Sequence, residues 1–261
     1  MRQFRAMTVA NTPSSPAEAA AMLTRAHEVI RLNIAALQAL DGAMDDSLGR
    51  ACDIILGRPG YLVVTGMGKS GHIGGKLAAT LASTGTNAFF VHPAEMSHGD
   101  LGMLRHDTTL LAISNSGESR ELRDPLIFCQ REGIPVIGMT QRPTSFLGRN
   151  SAVCLTMPKV AEACPNNLAP TTSTLMTLAL GAALAIITDG DVRRAFTRDI
   201  AALVAADIMS PNPKVVGPAA RMSDVVDLIV QNKISNLFVT VQDRPVAIVH
   251  IAELMQAGYV S

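Results

Sequence analysis

The chain has 261 residues, enough for about two domains. Hydrophobic residues make up 48% and charged residues 17%, which excludes a disordered, solvating chain. The 22 Lys and Arg residues balance the 22 Asp and Glu residues, so the basic excess of a nucleic-acid binder is missing, and 3% aromatics without Trp argues against base-stacking platforms and membrane-interface belts.

Residues 1–14 read as a disordered tail; they carry Arg2 and Arg5 but no apolar stretch behind them, so no signal peptide is expected. A helix should start at Ser15-Pro16-Ala17-Glu18, with Ser at the N-cap, Pro at the first position and Glu closing a capping box. Leu23, Ala26, Val29, Ile30, Ile34 and Leu37 then recur at helical spacing as an apolar stripe. A second helix is predicted from about Asp46 to Gly57, with Pro59-Gly60 as the break.

From Tyr61 the rhythm changes. The runs 61–65, 88–91, 109–114, 135–140 and, more weakly, 152–156 are short and continuously apolar, and segments with Ala/Leu periodicity separate them. That pattern predicts parallel strands buried on both faces, so the region from about 45 to 185 reads as an α/β, doubly wound domain with ligands at the carboxyl ends of its strands. Beyond Pro211 and Pro213 come Val215-Val216, a helix over 223–231, strands over 236–241 and 245–250, and a helix over 251–257. This is a small, separate α+β unit with few candidate catalytic groups. The most apolar stretch, 175–187, is too short to span a bilayer. Cys52, Cys129, Cys154 and Cys164 form no C-x-x-C pair, so free thiols in a reducing, cytoplasmic setting are expected.

Three turns carry candidate chemistry. The first, Gly66-Met67-Gly68-Lys69-Ser70-Gly71, fits G-x-G-x-x-G between a strand and a helix. A dinucleotide site also needs a carboxylate at the end of the second strand, where the chain reads Phe89-Phe90-Val91-His92-Pro93, and a P-loop would need Gly at position 63, which is Val63. What remains is either an anion site, with Gly68, Lys69 and Ser70 at a helix start, or a tight structural turn. The second turn, Ser114-Asn115-Ser116-Gly117-Glu118-Ser119, leads into a helix with Glu121; its hydroxyl and N–H donors suit a phosphate. The third, 169–174, adds Thr171, Thr172, Ser173 and Thr174. Three polar turns on one sheet edge exceed what helix capping requires. His92, Glu95 and His98 follow the second strand, but loop spacing specifies no metal geometry, and no metal or cofactor is expected.

Segments 66–74, 89–93, 97–103, 114–119, 162–165 and 168–171 form one collinear series that resembles the arabinose-5-phosphate isomerase family. The resemblance implies a flavodoxin-like sugar isomerase (SIS) domain over 15–185, followed by a pair of CBS modules. It implies interconversion of D-ribulose 5-phosphate and D-arabinose 5-phosphate, which supplies a lipopolysaccharide sugar, by a homo-oligomer, a tetramer in intact members. Ser114, Ser116, Ser119 and Thr171 would hold the phosphate, with Asn115 and Thr172 beside them and His92 and His98 near the substrate. Glu162 is expected as the base, Lys69 as electrostatic stabiliser of an enediol, and Glu121 as its positioning or acid–base partner.

The chain departs from the family after residue 185. A His-Pro-Gly-Gly segment and the bulk of the first CBS module are missing, and Ile186-Ile187-Thr188 runs on as if it were that module's closing strand. Residues 186–204 are then a remnant, and 205–261 a second CBS module. Two readings follow: an isomerase, or a sugar-phosphate binding protein whose turnover the deletion impairs. A DNA-binding sugar sensor would need a helix-turn-helix or basic segment before Tyr61, and there is none. With half the CBS pair gone, no nucleotide site is expected there.

Overall fold

The computed structural model describes residues 15–188 and 213–250, apart from 233, 235 and 243, together with Leu254. The tail 1–14, most of the 186–204 remnant and the last helix of the C-terminal unit lie outside the described residues, except that Leu254 is helical and buried.

Helix α1 (Pro16–Gly42) opens with the expected capping box: the Ser15 hydroxyl accepts from the Glu18 N–H, and the Glu18 carboxylate from the Ser15 N–H. Its apolar stripe behaves differently from the expectation. Only Ala36 and Leu40 are buried, whereas Leu23, Ile30 and Ile34 are 60%, 55% and 50% exposed. Helical periodicity reveals an apolar face but not what covers it. After α2 (Ser47–Leu56), strands β1 (Leu62–Gly66), β2 (Ala88–Phe90), β3 (Thr109–Ile113), β4 (Val136–Thr140) and β5 (Val153–Thr156) form one parallel sheet in the order β2-β1-β3-β4-β5.

Side chains alternate between the two faces of each strand, as the two-residue repeat requires. Leu62, Val64, Leu111, Ile113, Ile137 and Met139 pack beneath α2, α3 (Lys69–Ser83) and α7 (Thr172–Ile187). Val63, Leu110, Ala112 and Val136 pack with Met96, Leu126, Cys129 and Leu147 from the helices of the opposite layer: α4 (Pro93–Met96), α5 (Arg123–Glu132) and α6 (Phe146–Arg149). Burial on both faces is why β1, β3 and β4 read as unbroken apolar runs. Contrary to the expectation, the edge strands β2 and β5 are only partly buried, because each has a neighbour on one side alone. None of the four cysteines forms a disulfide, and burial pushes the pKa of the Cys129 thiol up to about 12.

Two expectations are corrected. Residues 186–188 are not a strand: Ile186 and Ile187 close α7, and the Thr188 hydroxyl donates back to the Leu184 carbonyl at 3.0 Å. The Ala/Leu-rich run satisfies its backbone within the helix. The turn after β3 does not enter a regular helix directly either, because a 3-10 turn over Arg120–Leu122, which holds Glu121, precedes α5.

The C-terminal unit has β6 (Val215–Val216), α8 (Met222–Asn232), β7 (Asn236–Val241) and β8 (Arg244–His250). β6 is parallel to β7, and β8 is antiparallel to it. Val225, Ile229, Leu237 and Leu254 form its small core.

Candidate active site

The strand order puts β1 and β3 side by side, with β2 beyond β1 and β4 beyond β3. The order in which strands are added across the sheet reverses at that point, and in open α/β sheets the crevice at the carboxyl ends of such a pair is where ligands bind. The glycine turn leaves β1 and the serine turn leaves β3, so both expected anion turns flank one crevice.

On the β1 side, Gly68 has φ +55°, a left-handed conformation that glycine adopts without strain, and it starts α3. Lys69 stands exposed at the first position of that helix, and Ser70 is half-buried. Gly71 and Gly74 let α3 lie close to the sheet: a Cβ on Gly71 would sit 2.6 Å from the Gly66 carbonyl, and one on Gly74 3.0 Å from the Phe90 ring.

On the β3 side, the buried Ser114 hydroxyl is 2.9 Å from the Ser119 hydroxyl and accepts from the Gly117 N–H at 3.1 Å. The Ser116 hydroxyl accepts from the Glu118 N–H at 3.3 Å. Gly117 has φ +68°, and a Cβ there would fall 1.9 Å from the Ser145 hydroxyl, so the turn depends on glycine twice over. None of these bonds uses the N–H groups of Asn115, Ser116 or Ser119. Serine hydroxyls and backbone donors gathered around a tight turn are the groups that bind a phosphate.

Glu162 comes from the long connection after β5. Its Oε2 accepts from the Thr171 N–H at 2.7 Å, the Thr171 hydroxyl at 3.0 Å and the Ser173 N–H at 3.3 Å, which caps α7. Partial burial pushes its pKa up, but the donors from Ser173 and Thr171 outweigh that and hold it below the ordinary Glu value. The connection is tied down elsewhere: Arg25 donates to the Ala163 carbonyl at 2.8 Å, and the Ala163 N–H donates to the Thr171 hydroxyl at 2.9 Å. Nearby, the N–H groups of Ala169, Leu168 and Asn166 draw the Cys164 thiol below its usual pKa.

Helix packing sets Glu162 at the same end of the domain as the glycine turn. α7 runs parallel to α3: Gly181 lies against Leu77, Thr84 donates to the Ala185 carbonyl at 3.2 Å, and the Thr86 and Thr188 hydroxyls are 3.3 Å apart. Counting back from Gly181 and Leu77, the starts of the two helices are level to about one residue. The turn bearing Lys69 and the cap made by Glu162 therefore share one end of the domain.

Not every expected residue is available to a ligand. The Thr171 hydroxyl is committed to Glu162, and Thr172 is fully buried with its Oγ1 unpartnered among the described residues. Nδ1 of His92 accepts from the Ala94 N–H at 3.3 Å at the start of α4, while His98 is exposed beyond that helix. Among the described residues no three His, Cys, Asp or Glu side chains come together. Thr140 and Gln141 brace the serine turn from the β4 side and Glu118 reaches from the turn to Phe146, three contacts that sequence reasoning passed over. Only the pairing of β3 with β4 reveals this. A separate cleft of about 480 Å³, lined in part by Arg58, Tyr61, Asn87 and Thr188, opens at the amino ends of the strands, away from these groups.

The fold and the crevice at β1 and β3 define a SIS-domain protein, and the SIS domain profile matches residues 55–187. The CBS domain profile matches residues 204–259. Arabinose 5-phosphate isomerase KdsD of Francisella tularensis is 51% identical over 167 residues, covering 63% of this chain and 51% of that protein. The Shigella flexneri enzyme of the same name is 32% identical over 311 residues, covering 89% of this chain and 95% of that protein. A solved structure from E. coli CFT073, in complex with arabinose 5-phosphate, superposes with a TM-score of 0.63 at 29% identity, covering 75% of this chain and 97% of that one. The chain belongs to the arabinose 5-phosphate isomerase family. It spans about half the length of the first curated relatives it matches. In the longer alignment, 89% of 261 residues is about 232, so about 79 of the 311 aligned positions have no counterpart in this chain.

Proposed function

We propose that the protein is an aldose–ketose isomerase that interconverts D-ribulose 5-phosphate and D-arabinose 5-phosphate in the cytoplasm, supplying a precursor of the octulosonate sugar of lipopolysaccharide. The observation that carries this reading is the crevice between β1 and β3, with Lys69 on one wall and the serine turn on the other. Ser114, Ser116, Ser119 and the unused N–H groups of the turn receive the phosphate, and Asn115 borders them. A carboxylate removes a proton from C1 of the ketose, exchanges it with solvent and delivers one to C2, while O1 gives up a proton and O2 gains one. Lys69 stabilises the oxyanion of the enediol between these steps. No cofactor is needed, because ketose and aldose are isomers and the reaction involves no net oxidation or reduction.

The distribution of roles differs from the expectation. Glu162 already shares Oε2 among three donors and is held below its ordinary pKa, which makes it a weaker proton acceptor. Proton transfer therefore falls to Glu121, which is exposed on the turn after the serine loop, and Glu162 positions the start of α7. The SIS domain extends over 15–185, 186–204 is a remnant of a first CBS module, and 205–261 is a second.

Incubation with D-ribulose 5-phosphate, followed by NMR in D2O, should show aldose appearing with deuterium at C2. Glu121→Gln and Lys69→Met should each abolish it while D-arabinose 5-phosphate still binds. A second reading, a sugar-phosphate binding protein without turnover, is favoured by the roughly 79 unmatched positions. Calorimetric binding of D-arabinose 5-phosphate without conversion would select it, and absence of binding would remove both.

A further inference from the structure

We infer that Glu118 is a positioning residue for the phosphate turn, an inference that rests on the reading of 114–119 as the phosphate site. The turn owes much of its hold to the connection that follows β4. The Gln141 N–H and the Thr140 hydroxyl both donate to the Asn115 carbonyl at 3.1 Å, and the Leu147 N–H donates to the Gly117 carbonyl at 3.0 Å. Glu118 completes the set: its Oε1 accepts from the Phe146 N–H at 3.2 Å. The Ser114, Ser116 and Ser119 hydroxyls bond only within the turn, so among the described residues Glu118 supplies the side chain that reaches across.

The element it grips is itself held. Arg123 lies over the Phe146 ring at 5.2 Å, and the buried Ser145 fills the space beneath Gly117. A negative charge two residues from Ser116 opposes binding of an anion, so a carboxylate there calls for a structural reason. Its bond to the Phe146 N–H is that reason: it sets the turn against β4 and α6 and keeps the N–H groups of Asn115, Ser116 and Ser119 in one fixed cup. A cup formed before the ligand arrives binds more tightly than one that must be ordered on binding.

Two variants of the full chain separate positioning from chemistry. In Glu118→Gln the amide oxygen still accepts from Phe146 while the charge is gone; in Glu118→Ala the bond is lost. Glu118→Ala should raise KM for D-arabinose 5-phosphate, and the Kd of inorganic phosphate, about tenfold with kcat within about twofold. Glu118→Gln should restore both constants, with the pH profile of kcat unchanged. Amide hydrogen exchange over 114–119 and 146–147 should speed up in Glu118→Ala and stay as in the parent for Glu118→Gln. Loss of kcat in Glu118→Gln would make Glu118 a proton-transfer group and overturn the inference, as would an unchanged exchange rate in Glu118→Ala. The exchange measurement needs no turnover. If the parent neither isomerises nor binds phosphate, the proposed function fails, while the exchange rates still decide whether Glu118 holds the turn.

Discussion

Glu162 shows how a local bond set changes a residue's chemistry. The carboxylate type and its place in a family-like segment are visible in the chain, but the three donors from Thr171 and Ser173 are not. Because its folded-state pKa is lowered, the ionised form stabilises the fold above the ordinary Glu pKa, and that contribution is lost as pH falls through the lowered value. Thermal melts between about pH 7 and pH 3 should therefore fall more steeply for the parent than for Glu162→Gln, whose amide does not titrate in this range. Parallel curves would show that the cap contributes nothing to acid sensitivity. Gly117 is the opposite case, since its need is half legible: a Ser-rich turn suggests glycine for a positive φ, but only the fold brings Ser145 beneath it.

Among the elements, the pairing of α3 with α7 decides where the site can assemble. Their close approach rests on Gly181, where a Cβ would come within 2.2 Å of Leu77, a fully buried side chain. Gly181→Val should wedge the two helices apart and cost about 1–3 kcal/mol in chemical denaturation, together with weaker D-arabinose 5-phosphate binding as Glu162 leaves the Lys69 edge. An unchanged midpoint would mean that the helices tolerate the added volume. The strands were readable because β1, β3 and β4 are buried on both faces, which leaves unbroken apolar runs bounded by turns. The short 3-10 turn before α5 was not, because three residues carry no periodicity to detect.

At the scale of the whole molecule, the apolar stripe of α1 stands in solvent in the single chain, with Met22 and Leu23 at 64% and 60% exposure and Ile30 and Ile34 above or at half. An exposed row of this kind marks an interaction surface in a chain with so few charges. Light scattering should give a multiple of the 27.5 kDa chain mass, and Leu23→Lys with Ile30→Lys should lower it without changing the far-UV spectrum. A monomeric parent would leave the stripe without that role. The partial match to the longer relatives also belongs to this scale. About 79 positions of the longer relatives are unmatched, and among the described residues α7 ends at Ile187, with Thr188 as its cap.

The sequence by itself determined the sheet, the layers and the three polar turns, because burial on two faces, capping chemistry and glycine punctuation are local signals written along the chain. It also shows its departure from the family pattern, since collinearity with a family is a one-dimensional property. Only the tertiary structure decided which turns share a crevice, which hydroxyls remain free and which carboxylate is already engaged. Those outcomes depend on strand order and on the parallel course of α3 and α7, which set residues such as Lys69, Ser116 and Glu162, far apart in the chain, at one end of the domain. Side chains acquire their hydrogen-bond partners at that step, and with them their chemistry.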